Sequence, residues 1–329
     1  MPAVSEAAQL ETREEMTDHT ARIAVLVPCY NEDAAIATVV RDFRAAMPSA
    51  TIYVYDNNSS DRTVARAREA GAVVRTEMRQ GKGNVVRRMF ADIEADVYVL
   101  VDGDDTYDAG AAPALVARLV EDGLDIVSGQ RVATGQAAYR RGHVLGNWLL
   151  TTLTSVMFRV KLNDLLSGYR IMSRRFVKSF PFTAEGFGIE TELTVHAVRL
   201  LMPMAEIETR YKERPEGSVS KLNTYRDGFR ILFTIAALVR EERPLVFFTT
   251  IFALLALFSL LVGTPVVLEY FHTGLVPRLP TALVAVGAMV LAFLSLASGL
   301  ILDTVTRGRW EDKRMAYLAI PGPQDLKLP

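Results

Sequence analysis

Val97-Tyr98-Val99-Leu100-Val101 runs straight into Asp102-Gly103-Asp104-Asp105, and this stretch decides how the chain folds. Five apolar residues, mostly β-branched or aromatic, are too few for a helix and read as a buried strand. The strand delivers three carboxylates at its carboxyl end. Hard oxygen ligands on a rigid support suit Mg²⁺ or Mn²⁺ bridged to the phosphates of a nucleotide. In isolation the same residues serve equally well as a solvated acidic loop capping the next helix.

Two further strands end the same way. Ile23–Val27 leads into Pro28-Cys29-Tyr30-Asn31-Glu32, and Thr51–Tyr55 leads into Asp56-Asn57-Asn58-Ser59-Ser60-Asp61. Helical patterns follow at 33–46, 62–70, 83–94 and 112–121, and a strand at 125–128 closes this half. Strands alternating with helices predict an α/β domain with a parallel, doubly wound sheet, which binds ligands at the carboxyl ends of its strands. Three polar constellations therefore converge on one edge. From 131 to 210 the pattern turns more helical, with candidates at 142–158, 174–180 and 190–201.

Half of the 329 residues are hydrophobic, and the surplus lies toward the carboxyl end. Leu245–Leu268 and Thr281–Leu302 carry no charge, and each exceeds the roughly 20 residues a helix needs to cross a bilayer. Phe247, Phe248, Phe252, Leu254, Leu255, Phe258 and Leu260 cover every face and leave none polar, which argues against a soluble hairpin. Arg240 and Arg243 precede the first span, and Arg307, Arg309, Lys313 and Arg314 follow the second, placing both ends in the cytoplasm. Thr224–Arg240 is amphipathic and reads as a helix along the membrane surface. The expected layout is a flexible acidic tail at 1–20, an α/β domain at 21–223, a juxtamembrane amphipathic helix at 224–243, a two-helix hairpin at 244–303 and a cytoplasmic tail at 304–329. The polar, Glu-rich first twenty residues do not read as a signal peptide.

A net charge of −1 marks no nucleic-acid partner. The single cysteine, Cys29, has no metal-ligand spacing, and no zinc or serine hydrolase motif occurs. Gln80-Gly81-Lys82-Gly83-Asn84 opens a helix, so backbone N–H groups and Lys82 are placed to meet an anion, although an ordinary helix-opening turn reads the same way.

Val27-Pro28-Cys29-Tyr30-Asn31-Glu32, Asp56 to Thr63, Asp102-Gly103-Asp104 and Ser167-Gly168-Tyr169-Arg170, in that order, resemble glycosyltransferase family 2. Within it the chain is most similar to the polyprenyl-phosphate glycosyltransferases, the group of the dolichol-phosphate mannose and glucose synthases, in the bacterial form with two carboxyl-terminal spans. The resemblance implies a GT-A catalytic domain, Rossmann-like with a mostly parallel sheet, at 21–223. It implies that Pro28 and Tyr30 flank the nucleobase, Glu32 lies near the ribose, and Asp56 accepts a ring N–H. Asp102, Gly103 and Asp104 would form the Asp-x-Asp motif, with Mg²⁺ or Mn²⁺ on Asp102 and Asp104 and Thr106 as a weak neighbour. Lys82, Arg214 and Lys221 would meet the donor, and Ser218 and Ser220, in a phosphate-clamping segment, the acceptor phosphate. Arg131 and one of Arg140 and Arg141, the latter preferred, would hold the acceptor phosphate, since guanidinium grips phosphate bidentately. Asp164 matches the carboxylate proposed as a base in relatives; orienting the acceptor or bonding the sugar are equal alternatives. Glu190 and Glu192 would touch sugar hydroxyls or complement a helix dipole.

The reaction implied is inverting transfer of a hexose from a nucleotide sugar to a polyprenyl phosphate. UDP-glucose or UDP-N-acetylhexosamine is preferred as donor, with GDP-mannose open. The resemblance further implies a bilayer partner, a homotetramer and an inner-membrane location. Two alternatives stand beside it: a processive or lipid-hydroxyl glycosyltransferase, and a non-catalytic nucleotide-sugar-binding scaffold. Arg309-Trp310 follows both spans and lacks the Gln of the processive enzymes, and the intact Asp56, Asp102, Asp104 and Arg214 speak against a scaffold.

Overall fold

A computed structural model describes residues 20–133, 141–181, 188–213 and 236–329, with the backbone alone at 133, 141–147 and 325. The expected flexible tail, apart from Thr20, lies outside the described residues. So do Arg140, Arg214, Ser218, Ser220, Lys221 and all but the end of the expected amphipathic helix, of which 236–242 is helical.

The chain divides into two compact units, Met1–Gly228 with Lys313–Pro329, and Phe229–Asp312. The first is built on one sheet of β1 (Ile23–Cys29), β2 (Thr51–Asp56), β3 (Val73–Thr76), β4 (Val97–Leu100), β5 (Ile126–Ala133), β6 (Arg170–Ser173) and β7 (Met204–Tyr211), in the order β3-β2-β1-β4-β6-β5-β7. All neighbouring strands pair parallel except β6, which runs antiparallel to both β4 and β5. Every residue of β1 is buried, as expected for a central strand covered on both faces.

Helices α1 (Ile36–Ala46), α2 (Thr63–Glu69), α3 (Lys82–Asp92), α4 (Ala112–Glu121), α5 (Arg141–Phe158), α6 (Arg174–Ser179) and α7 (Ile189–Arg199) complete the unit. In α1 the buried residues are Ile36, Val39, Val40 and Phe43, the spacing of one helical face. They join Val25, Val27, Val99, Leu115, Leu119 and Ile171 in the core.

The mostly parallel sheet agrees with the sequence, but β3, β6 and β7 were not anticipated. β3 is an exposed four-residue edge strand, and β6 opens on an arginine, so neither has an apolar run to announce it. β7 alternates charged residues, which suits the other edge. β5 extends to Ala133, which places Arg131 within a strand.

The segment from Lys313 belongs to this unit and straps the edge opposite the carboxyl ends of the parallel strands. Tyr317 donates its hydroxyl to Asp125 Oδ2 at 2.8 Å, and Arg175 sits 4.8 Å over the Tyr317 ring. Asp125 is fully buried and also accepts Ser173 Oγ at 2.7 Å and Arg175 Nε at 2.5 Å and Nη2 at 2.8 Å. Beyond it, Lys327 pairs with Thr20 and accepts the Ala21 N–H at 2.8 Å.

The second unit holds α8 (Pro244–Thr273) and most of α9 (Leu279–Leu318), of 30 and 40 residues, both long and apolar enough to cross a membrane. At about 1.5 Å per residue even the shorter one reaches beyond the hydrocarbon thickness of a bilayer. Small residues let the helices approach closely: a Cβ on Gly263 would meet Ala285 at 3.2 Å, and one on Gly299 would meet Phe248 at 2.8 Å. Ser259 Oγ donates to the Ala285 carbonyl at 2.7 Å and Ser295 Oγ to that of Phe248 at 3.0 Å. The outer faces present Leu254, Leu257, Leu261, Leu283, Val286 and Leu294.

Candidate active site

The carboxyl ends of β2, β1 and β4 lie side by side, since Cys29 pairs with Asp56 and Leu26 with Leu100. The loops after β1 and β2 are stitched together: Asn31 N–H donates to Ser59 Oγ at 2.8 Å, Ser60 N–H to Asn31 Oδ1 at 2.8 Å, and Glu32 N–H to Thr63 Oγ1 at 2.9 Å. Asp56 is buried and accepts the Ser59 N–H at 3.1 Å, while Pro28 is buried and Tyr30 exposed. Burial raises the Cys29 thiol pKa well above its ordinary value, and the charges of Glu32, Asp56, Asp102 and Asp104 add to the shift. Four carboxylates, from the carboxyl ends of β1, β2 and β4 and the loops after them, thus act on this one thiol.

Asn57, which the sequence reading did not single out, fixes the Lys82 loop. Its Nδ2 donates to the carbonyls of Glu77 and Arg79, each at 2.8 Å, and its Oδ1 accepts the Gly81 N–H at 2.6 Å. Gly81 has φ of 124°, a backbone region that side chains disfavour. The turn starts α3 so that Lys82 Nζ lies 2.5 Å from Asp102 Oδ1 and 2.6 Å from Glu190 Oε1. Burial opposes the ammonium charge, but these two carboxylates outweigh it and hold the Lys82 pKa above its usual value. A second pair, Arg87 Nη2 to Glu192 Oε2 at 2.7 Å, joins α3 to α7. Glu190 and Glu192 thus bind the helix that carries Lys82.

Asp104 Oδ1 accepts Thr106 Oγ1 at 2.6 Å. The two carboxylates of Asp102 and Asp104, one of which already draws a cation, form a donor set that fits Mg²⁺ or Mn²⁺, with diphosphate and water as the remaining ligands. Among the described residues no cluster of three His, Cys, Asp or Glu side chains forms a metal cage.

The antiparallel insertion of β6 brings the remaining pieces to this edge. Leu100 and Ser128 both pair with Arg170, so the loop before β6, from Asp164 to Gly168, lies against the ends of β4 and β5. A Cβ on Gly168 would strike the Asp102 carboxylate, and the Gly168 N–H donates to the Tyr107 phenol oxygen at 2.7 Å. Arg170 is buried and works inward: its guanidinium donates to the carbonyls of Ser167 and Leu165 and to Ser128 Oγ and Thr194 Oγ1, which shapes the loop. At the head of that loop Asp164 takes Arg131 Nε on Oδ2 and Nη2 on Oδ1, both at 2.7 Å. Burial disfavours the Arg131 charge, but the Asp164 bonds more than offset this and raise its pKa. The guanidinium lies 5.6 Å over the Tyr211 ring. The Tyr107 ring packs between Tyr169, tilted at a centroid distance of 5.4 Å, and Tyr211, edge-on at 5.3 Å, and no sequence signal marks it. Arg141 opens α5.

A mixed sheet with this strand order, an Asp-x-Asp at the end of β4 and carboxylate loops along one edge defines a glycosyltransferase of the GT-A type. Glucosyl-3-phosphoglycerate synthase of Mycobacterium tuberculosis shares the fold, with a TM-score of 0.54 at 24% identity over 73% of this chain and 85% of that one. The chain belongs to glycosyl transferase family 2, whose family model matches residues 24–180. Among its relatives, the glycosyltransferase AglJ of Haloferax volcanii is 34% identical over 231 residues, 70% of this chain and 76% of the relative. A dolichyl-phosphate hexose transferase of the same organism is 31% identical over 229 residues, 69% of this chain and 99% of the relative.

Proposed function

We propose that this glycosyltransferase moves a hexose from a nucleotide sugar to the phosphate of a polyprenyl phosphate, with inversion, at the cytoplasmic face of an inner membrane. The observation that carries the reading is the contact of Gly168 with Asp102, which seats the loop of Asp164 and its partner Arg131 directly against the Asp-x-Asp carboxylates. An anionic donor and an anionic acceptor need such adjacent grips. The relative named for dolichyl-phosphate hexose transfer supports the lipid acceptor. The chain leaves the catalytic unit at Gly228 and rejoins it at Lys313, with two span-length helices between, which suits an even number of crossings.

Asp102 and Asp104 would hold Mg²⁺ or Mn²⁺, which when bound neutralises charge on the leaving diphosphate. Lys82, turned toward Asp102, supplies a fixed positive charge at the same place. Tyr30, Glu32 and Asp56 line the edge where the nucleoside binds. A phosphate monoester has a second pKa of about 6, so the attacking oxygen is already charged at neutral pH and needs little general-base help. Both Asp164 oxygens are engaged by Arg131, and Asp164 accordingly orients that guanidinium on the acceptor phosphate. The preferred donors are UDP-glucose and UDP-N-acetylhexosamine, and the assembly a homotetramer.

The test is transfer from labelled UDP- and GDP-sugars to undecaprenyl phosphate by purified full-length protein in detergent, with and without Mg²⁺ or Mn²⁺, scored as label entering the organic phase. One donor labelling the lipid in a metal-dependent way is the expected result. Nucleotide binding without lipid labelling from any donor would overturn the acceptor assignment.

A further inference from the structure

Helix α5 leaves an apolar side uncovered. Leu150, Thr151 and Thr154 are buried and hold it to the domain, whereas Trp148 is 60% and Val156 71% exposed, and Leu149 and Thr152 are exposed beside them. A turn of 3.6 residues puts 148, 149, 152 and 156 on one side. No charged residue occurs from Trp148 to Phe158, and no acid as far as Lys161.

Charge begins where the helix ends, and it is positive. Arg159 and Lys161 are exposed, and Arg199 lies 5.7 Å over the Phe158 ring. Of the acids that follow, Asp164 is paired with Arg131, and Glu206, which keeps its charge, is turned to Asn163, whose N–H it accepts at 2.7 Å and whose Nδ2 at 2.9 Å. An exposed tryptophan, an apolar stripe and a cluster of cations are the side-chain types suited to the headgroup level of an anionic bilayer. A two-fold contact with a second copy would bring the same patch onto itself, and among the described residues this face of α5 carries no acid to meet the cations at its end.

We propose that this face of α5 docks on an anionic lipid surface and so sets the depth of the acceptor side of the site. The inference rests on the lipid-acceptor reading above. α5 begins at Arg141, an expected acceptor-phosphate ligand, and follows β5, which carries Arg131. Docking α5 therefore holds that end of the site where a lipid phosphate resides.

The chain has two tryptophans, and Trp310→Phe leaves Trp148 alone to report. The full-length variant is reconstituted into vesicles of phosphatidylcholine and phosphatidylglycerol, with brominated lipid as one quencher and acrylamide as the other, and sugar transfer is measured on the same vesicles. Trp148 emission quenched by the brominated lipid and shielded from acrylamide is expected, with less lipid quenching in purely neutral vesicles. Adding Val156→Asp should cut the lipid quenching and raise the KM for a long-chain polyprenyl phosphate about tenfold, while transfer to a short, water-soluble prenyl phosphate is unchanged. Trp148 open to acrylamide and untouched by lipid would overturn the proposal, as would shielding from both quenchers, the signature of a second copy on this face. Transfer with unquenched Trp148 sinks the docking alone; quenched Trp148 in folded protein that transfers no sugar to lipid sinks the acceptor assignment alone.

Discussion

Replacing Asp164 by Asn separates two roles that a carboxylate at this position can play. Its oxygens receive Arg131 Nε and Nη2 at 2.7 Å each, and the two side chains are only 6% and 17% exposed. Asn offers one acceptor oxygen and no charge, so one guanidinium bond is lost and a largely buried cation loses the Asp164 countercharge. Deleting one partner of a buried pair costs about 3–5 kcal/mol. Asn keeps one bond, so the expected loss is about 2–3 kcal/mol, read as a lower unfolding midpoint in detergent. If the same energy positions Arg131 on the acceptor phosphate, kcat/KM should fall roughly 30- to 150-fold, mostly through acceptor KM.

The decisive assay is the cycle of Asp164→Asn, Arg131→Gln and the double variant, with kcat/KM followed across pH. An orienting carboxylate acts only through its arginine, so the double variant should be no slower than Arg131→Gln alone, and the acid limb of the profile should survive in Asp164→Asn. Additive losses, with the acid limb gone from Asp164→Asn but kept in Arg131→Gln, would refute the argument and make Asp164 the base.

Three further outcomes are expected. Gly168→Ala drives a methyl group into the Asp102 carboxylate, so it should weaken metal binding and transfer by at least about tenfold while lowering stability by only about 1–3 kcal/mol, checked by metal titration and thermal melting. His196 is buried among Phe176, Phe180 and Ser179, and burial, helped by the nearby Lys313 charge, pushes its pKa down to about 3. The unfolded chain takes up that proton below its ordinary value of 6.5, so stability should fall as pH drops from 6.5 toward 3, by about 2 kcal/mol at pH 5, and His196→Leu should flatten this slope in pH-dependent melts. Tyr317→Phe removes one donor from the buried Asp125, which keeps Arg175 and Ser173; a loss of about 1–3 kcal/mol should appear as a lower midpoint and earlier proteolysis of the 313–329 strap, with the metal dependence of transfer unchanged.

The sequence by itself determined the parallel part of the fold and the edge that gathers the carboxylates. Apolar strands ending in Asn-Glu, Asp-Asn and Asp-x-Asp are local patterns, and parallel pairing forces their carboxyl ends to one side. The two long apolar segments were equally legible, because crossing a bilayer depends on length and composition within one segment. Only the tertiary structure decided the rest. β6 has no apolar run of its own, and its antiparallel insertion between β4 and β5 is what carries Asp164 and Gly168 to Asp102. Lys82 and Glu190 are 108 residues apart, and Asp125 and Tyr317 are 192 apart; pairs at such separations leave no periodic trace in the chain. They form because buried charge is tolerable only where the packed fold brings it a partner.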